Sequence, residues 1–217
     1  DLDGEKLHIV APPGAGKTLL GLLLAVRNGR RVVVLVPTTT IREQWLAAAR
    51  DLAPDPALVS GDATAPADLT VLTYQSLSVQ QVSDPLGPLA RQGWLAELAD
   101  GGRDPEDAVA WLGHLAEANP DRYRAGIRRR SRALRRSLAG TEPAVLAEAL
   151  HPAARERALA LAGHGVGTVV LDECHHLLDH WALVVHHLAG LLREQTGAPL
   201  LIGLTATLPS PDDAAEY

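Results

Sequence analysis

Lys17 and Thr18 end the run Ala11-Pro-Pro-Gly-Ala-Gly-Lys-Thr18, and two carboxylates, Asp172 and Glu173, end the apolar run Val169-Val-Leu171. These residue types suit phosphoryl chemistry. Gly14 and Gly16 let the backbone through Pro13, Gly14, Ala15, Gly16, Lys17, Thr18 and Leu19 aim successive N–H groups at phosphate oxygens. A helix beginning there adds the partial positive charge of its N-terminus. Lys17 is then placed to neutralise β- and γ-phosphates, and the Thr18 hydroxyl to ligate Mg2+. Asp172 is suited to hold the same Mg2+ through its water shell, and Glu173 to orient and deprotonate an attacking water. The expected ligands are therefore ATP and Mg2+. Ala11 stands where the common form of such a loop has glycine. The bland alternatives are a glycine-rich turn with an incidental lysine, and a solvated acidic strand end. Lys6 and Lys17 are the only lysines in the chain, so a lysine inside this loop stands out.

Chemistry at these positions needs a frame that brings both runs to one edge. Leu7–Ala11, Arg31–Val36, Leu69–Thr73, Gly167–Leu171 and Leu200–Leu204 are short apolar or β-branched runs that read as buried strands. Helices are predicted over Gly16–Asn28, over Thr40–Leu52 with Thr38 or Thr39 as N-cap, and over His180–Thr196. Strands alternating with helices of these lengths imply an α/β fold: a parallel sheet with helices on both faces and right-handed crossovers. In such sheets, ligands sit at the carboxyl ends of the strands, where Asp172 and Glu173 fall. From Ser78 to Gly165 the sequence is rich in Ala, Leu and Arg and poor in β-branched residues. Helices are expected there at about Pro105–Ala118, Asp121–Ala139 and Pro143–Leu161. Residues 78–165 read as a helical insertion within one domain spanning 1–217, or alternatively as a small independent subdomain.

Asp172-Glu-Cys-His175 resembles the DExH form of motif II in superfamily 2 DEAD/DEAH-box helicases, and Leu204-Thr-Ala-Thr207 resembles their motif III. Val36-Pro37-Thr38 with Gln44-Trp45 resembles motif Ia, and Thr73-Tyr-Gln-Ser-Leu77 the short motif that follows it. The motifs stand in the family's order, each at a predicted strand end, and the resemblance covers residues 7–77 and 166–210. It implies a RecA-like P-loop NTPase fold and an ATP-driven helicase or translocase moving on DNA or RNA. It implies that Lys17, Asp172, Glu173 and His175 serve catalysis, and that His175, Thr205 and Thr207 link the γ-phosphate state to the nucleic acid. Pro37, Thr38, Thr73 and Tyr74 would lie along the strand-binding face, contacting phosphates without reading sequence. It also implies a second RecA-like domain in the same parent chain, supplying an arginine finger worth roughly 10³–10⁵ in rate. Without that domain the fragment should bind ATP and hydrolyse it weakly. The competing reading is a P-loop switch ATPase that binds protein partners through the helical insertion.

Three further groups of residues invite function. Arg122–Arg136 holds eight arginines and no acid. On a helix, Arg124, Arg128, Arg132 and Arg135 share one face, and Arg122, Arg129 and Arg136 another. Nucleic-acid contact through Arg128, Arg129 and Arg132 is the functional reading, and a solvated face the plain one. Cys174, His175, His176, His180, His186 and His187 suggest zinc, but their spacing fits no four-ligand pattern. Trp45, Trp94, Trp111 and Trp181 lie in apolar helical contexts and read as packing residues.

Bulk composition bounds the rest. With 47% hydrophobic and 21% charged residues the chain has the balance of a folded globular protein. A net charge of −6 argues against indiscriminate coating of nucleic acid. No apolar run approaches the roughly 20 residues that span a bilayer, and Asp1–Lys6 lacks the basic start of a signal peptide. The single Cys174 fits a reducing cytoplasm. A chain that starts at Asp1 and contains no methionine reads as an excised domain, expected to be monomeric.

Overall fold

Arg31–Val36, the most β-branched run, takes an inner position in a six-stranded sheet. The computed structural model describes residues 6–78, 86–139, 147, 150–176 and 180–207. Within the helices, the side chains of Arg135, Leu138, Ala139, His176 and His180 lie outside the described set, as do residues 143–146 and 148–149 of the expected third insertion helix. The strands are β1 (Lys6–Val10), β2 (Arg31–Val36), β3 (Val59–Ser60), β4 (Leu69–Thr73), β5 (Val166–Asp172) and β6 (Leu200–Thr205). The helices are α1 (Lys17–Arg27), α2 (Thr39–Leu52), α3 (Tyr74–Ser78), α4 (Gly87–Asp100), α5 (Pro105–Ala118), α6 (Pro120–Ala139), α7 (Pro152–Gly163) and α8 (His180–Thr196).

The sheet order is β1-β6-β5-β2-β4-β3 and every pairing is parallel. Parallel neighbours need crossovers, and the helices supply them on both faces. Alternate residues of the strands serve the two faces. Val32, Val34, Val36, Val71, Val170, Ile202 and Leu204 pack with Leu22 and Ala25 of α1 and Trp45, Leu46 and Ala49 of α2. On the opposite face β5 meets α7 and α8, whose Leu161, Leu183, Leu188 and Leu192 are buried. Strands β4 and β5 are buried along their whole length, which explains why they read as continuous apolar runs rather than alternating ones. At Gly21 of α1 a Cβ would meet Leu204 Cδ1 and Trp45 Cη2 at 2.8 Å each. The absent side chain lets α1 lie close to both the sheet and α2.

Register places the strand ends. Val10 pairs with Thr205, Leu204 with Asp172, Leu35 with Leu171, and Val36 with Thr73. The residues that follow β1, β2, β4, β5 and β6 therefore leave the sheet at one edge.

By its contacts the chain divides into two compact units, residues 1–80 with 142–217, and residues 81–141. The sheet and helices α1–α3, α7 and α8 make the first. The second holds α4, α5 and α6, of which α4 was not foreseen from sequence. It has its own small core, where Trp94, Leu112 and Leu115 pack with Trp111, Tyr123 and Ile127. Trp94 stacks on Tyr123 at 6.0 Å and meets Trp111 edge-on at 6.2 Å. Among the described residues no helix is long and apolar enough to cross a membrane.

Candidate functional site

The loop between β1 and α1 is built by its glycines. Gly14 and Gly16 have φ of 79° and 76°, in the left-handed region where a Cβ is penalised. Gly16 caps α1, and no side chain bonds to the first N–H groups of the helix. Those donors are thus left to a ligand. Ala11 N donates to Thr205 O at 3.0 Å, which ties the start of the loop to the end of β6. Pro13, Gly14, Ala15 and Leu19 are exposed and Thr18 is half-buried.

Lys17 folds back over this loop. Its ammonium donates to Ala11 O at 3.0 Å and lies 3.8 Å from Glu173 Oε1. The two side chains are only 12% and 24% exposed, so their mutual charge is weakly screened. Glu173 has a φ of 49°, the one non-glycine residue above zero among those described. Such a residue costs roughly 1–2 kcal/mol, and the turn it makes ends the line of β5.

The other Glu173 oxygen faces β6. His175 Nδ1 is 3.3 Å from Glu173 Oε2 and 2.7 Å from Thr205 Oγ1. The Thr205 hydroxyl donates to Thr207 O at 2.7 Å and accepts from Thr207 N at 3.2 Å. Its single proton is thus committed to Thr207, so His175 Nδ1 must be the donor in the His175–Thr205 contact. Ala206 N reaches Glu173 Oε2 at 3.5 Å. Lys17, Glu173, His175, Thr205 and Thr207 therefore form one connected polar set across the ends of β1, β5 and β6.

Asp172 is the buried member, 6% exposed. Trp45 Nε1 donates to its Oδ2 at 2.7 Å and Glu173 N to its Oδ1 at 3.0 Å, while its main-chain O accepts from the Tyr74 hydroxyl at 2.8 Å. Burial pushes the Asp172 carboxyl above its ordinary range, and the neighbouring Glu173 charge adds to this. The Trp45 N–H, the Glu173 N–H and the Lys17 charge act against it. A buried carboxylate with an incompletely offset charge fits a cation site, and Thr18 and Asp172 offer the hard oxygen donors that Mg2+ prefers.

The raised Asp172 value carries a signed consequence. Between its ordinary and raised pKa, the folded state holds more protons than the unfolded state. Asp172 thus contributes stability that is present at low pH and lost as pH rises through that window. Asp172→Asn removes the charge and keeps one acceptor, for Trp45 Nε1 or for Glu173 N but not for both. The melting temperature of the metal-free variant, taken relative to the unchanged protein, is expected to rise as pH climbs through the window and to stay level below pH 3.8. Thermal denaturation from about pH 3 to 8 checks both signs.

The remaining sequence-predicted residues sit as follows. Pro37 is half-buried and Thr38 exposed, and the Thr38 hydroxyl accepts from Ile41 N at 3.2 Å as the N-cap of α2. Thr73 is buried and its hydroxyl accepts from Ser76 N at 3.0 Å at the start of α3. Tyr74 is 1% exposed and stacks on Trp181 at 5.1 Å. Thr38 and Thr73 thus have capping roles and Tyr74 a packing role in this conformation. Arg128, Arg129 and Arg132 are exposed on α6, in the other unit. Among the described residues no cluster of three His, Cys, Asp or Glu could hold a metal ion by itself. Trp45, read from sequence as part of motif Ia and as a packing residue, is also a partner of Asp172. Its one available signal was that a buried indole N–H requires an acceptor.

The family described as "Type III restriction enzyme, res subunit" matches residues 3–210. No curated protein matches the chain significantly. Among solved structures, it is similar to the Hef helicase domain of Pyrococcus furiosus, with 18% identity and a TM-score of 0.49, over 99% of this chain and 32% of that one. It is also similar to a hypothetical ATP-dependent RNA helicase from Sulfolobus tokodaii, with 14% identity and a TM-score of 0.41, over 95% of this chain and 43% of that one. The chain thus spans less than half the length of either.

Proposed function

Because the chain belongs to the family of the Type III restriction enzyme res subunit, of superfamily 2 helicase type, we propose that it is the ATP-binding motor domain of a nucleic-acid-dependent ATPase. The domain is RecA-like, spans 1–217 and carries a helical insertion over 78–165. It hydrolyses ATP with Mg2+ when a second RecA-like domain of the same parent chain completes the site. The observation that carries the ATP part is the meeting of Lys17 with Glu173 at 3.8 Å, from segments far apart in sequence, beside the buried Asp172.

Each residue then has a task set by its surroundings. The open N–H groups of the Gly14–Leu19 loop and α1 receive phosphate oxygens, and Lys17 turns from Ala11 O and Glu173 toward the β- and γ-phosphates. Thr18 and Asp172 would hold Mg2+, which supplies charge neutralisation at the transferring phosphoryl group. Glu173, released from Lys17, orients a water and accepts its proton. His175, Thr205 and Thr207 tie that carboxylate to the end of β6, so a change at the γ-phosphate reaches the next strand end. Pro37, Thr38, Thr73 and Tyr74 would follow the nucleic-acid side.

What supports the nucleic-acid part is family membership. The capping and packing roles of Thr38, Thr73 and Tyr74 neither require nor oppose it. We place the protein in the cytoplasm, in keeping with its single, buried cysteine, Cys174, and the chain as a monomer. Stimulation of ATP hydrolysis by DNA or RNA in the parent chain tests this reading.

A further inference from the structure

From α6 alone we infer that the three-helix unit is a second nucleic-acid contact, a duplex-gripping rail that reads phosphates and not bases. The inference rests on the nucleic-acid reading above. Arginines follow one another along the helix from Arg122 to Arg136 with no acid between them. At about 1.5 Å per residue that stretch is about 21 Å long, or about six base pairs at roughly 3.4 Å each.

The structure separates these arginines into two kinds. Arg130 belongs to the core of the unit. Its side chain is 11% exposed, lies 4.0 Å from the Trp94 ring centroid and is paired with Glu97. At Gly126 a Cβ would collide with the Trp94 ring, so α6 is seated against α4 at close range. Tyr123, Ile127 and the buried Ser131 complete that inward face. Arg122, Arg124, Arg128, Arg129, Arg132 and Arg136 are exposed. Helical spacing sets Arg124, Arg128 and Arg132 in one row and Arg122, Arg129 and Arg136 in another. Arg124 also bonds Asp121 at 2.7 Å, at the start of the helix.

One observation favours a phosphate backbone over an acidic protein. Between the arginines the exposed residues of this face include only small apolar side chains, Ala125 and Ala133, whereas protein interfaces are anchored by large apolar or aromatic groups at their centre. Arginine's planar fork fits phosphate and carboxylate oxygens alike, so the lack of a large apolar anchor is what separates the two partners. Two rows on one rigid helix can meet the two phosphate rows that border a groove, which a single strand does not offer.

The test is duplex and single-strand binding by the 217-residue chain and by a variant carrying Arg128→Gln, Arg129→Gln and Arg132→Gln, from about 50 to 200 mM salt. Because these side chains are exposed, the variant should melt with the unchanged protein, and Arg130 is left intact. Each phosphate contact removed lowers the slope of log affinity against log salt by about 0.9. A fall of about 2 to 3 in that slope and a drop of at least roughly ten-fold in duplex affinity at the low-salt end are expected, with single-strand binding changed less. Unchanged duplex binding overturns the rail while leaving the motor reading intact. An equal drop on single strands overturns the duplex assignment, and equally potent displacement of duplex by polyglutamate would give the face to an acidic protein. If the unchanged chain and its parent bind no nucleic acid, both readings fail.

Discussion

Lys17→Ala is expected to lower affinity for ATP by on the order of 100-fold or more while leaving the fold intact. The ammonium is held at the phosphate loop before any ligand arrives, 3.0 Å from Ala11 O. No other cation is in hydrogen-bond or ion-pair contact with that loop among the described residues. A hydrogen bond to a charged group contributes about 1.5–3 kcal/mol, and an ammonium that bonds both the β- and γ-phosphates accounts for at least that factor. The variant leaves Glu173 without its nearest cation. Glu173 keeps its contacts to His175 and Ala206 N and is partly solvated, so the cost to folding should be small. Equilibrium binding of a fluorescent ATP analogue, with a melting curve alongside, checks both halves. Affinity within about three-fold of the unchanged protein would remove Lys17 from the site.

Glu173→Gln is expected to do the opposite: binding is retained and turnover falls by about 10²–10⁴-fold, the range for loss of a general base. Glutamine matches glutamate in shape and keeps a carbonyl oxygen for His175 and Ala206 N, while losing the basicity that accepts a proton from water. It also loosens the Lys17 contact in the empty site, so ATP should bind at least as tightly. Single-turnover hydrolysis in the parent protein, with the proposed second domain present, reads this directly. A parallel loss of binding and turnover would make Glu173 a structural partner of Lys17 and leave the base unassigned.

The meeting of the candidate phosphate loop with Asp172 and Glu173 was legible from sequence because each follows an apolar run that reads as a buried strand, and parallel strands end at one edge of the sheet. The sheet was legible for the same reason, β3 excepted: Val59–Ser60 is two residues long and carries no period. Helix α4 was missed because Gly87–Asp100 mixes apolar and polar residues without a clear stripe, and its burial comes from Trp94 reaching α6. Sequence could not show that Trp45 bonds Asp172, since 127 residues separate them and only the α2-to-sheet packing brings them together. Nor could it show that Arg130 differs from Arg128, Arg129 and Arg132. Adjacent residues on a helix face different ways, and the neighbours Trp94 and Glu97 that claim Arg130 come from another helix.

ATP hydrolysis by the parent chain, titrated with single- and double-stranded DNA and RNA, tests most directly whether the proposed nucleotide site powers work on nucleic acid. Saturable stimulation by at least one of these is expected, abolished by Lys17→Ala and by Glu173→Gln. A hydrolysis rate that no nucleic acid alters would contradict the claim.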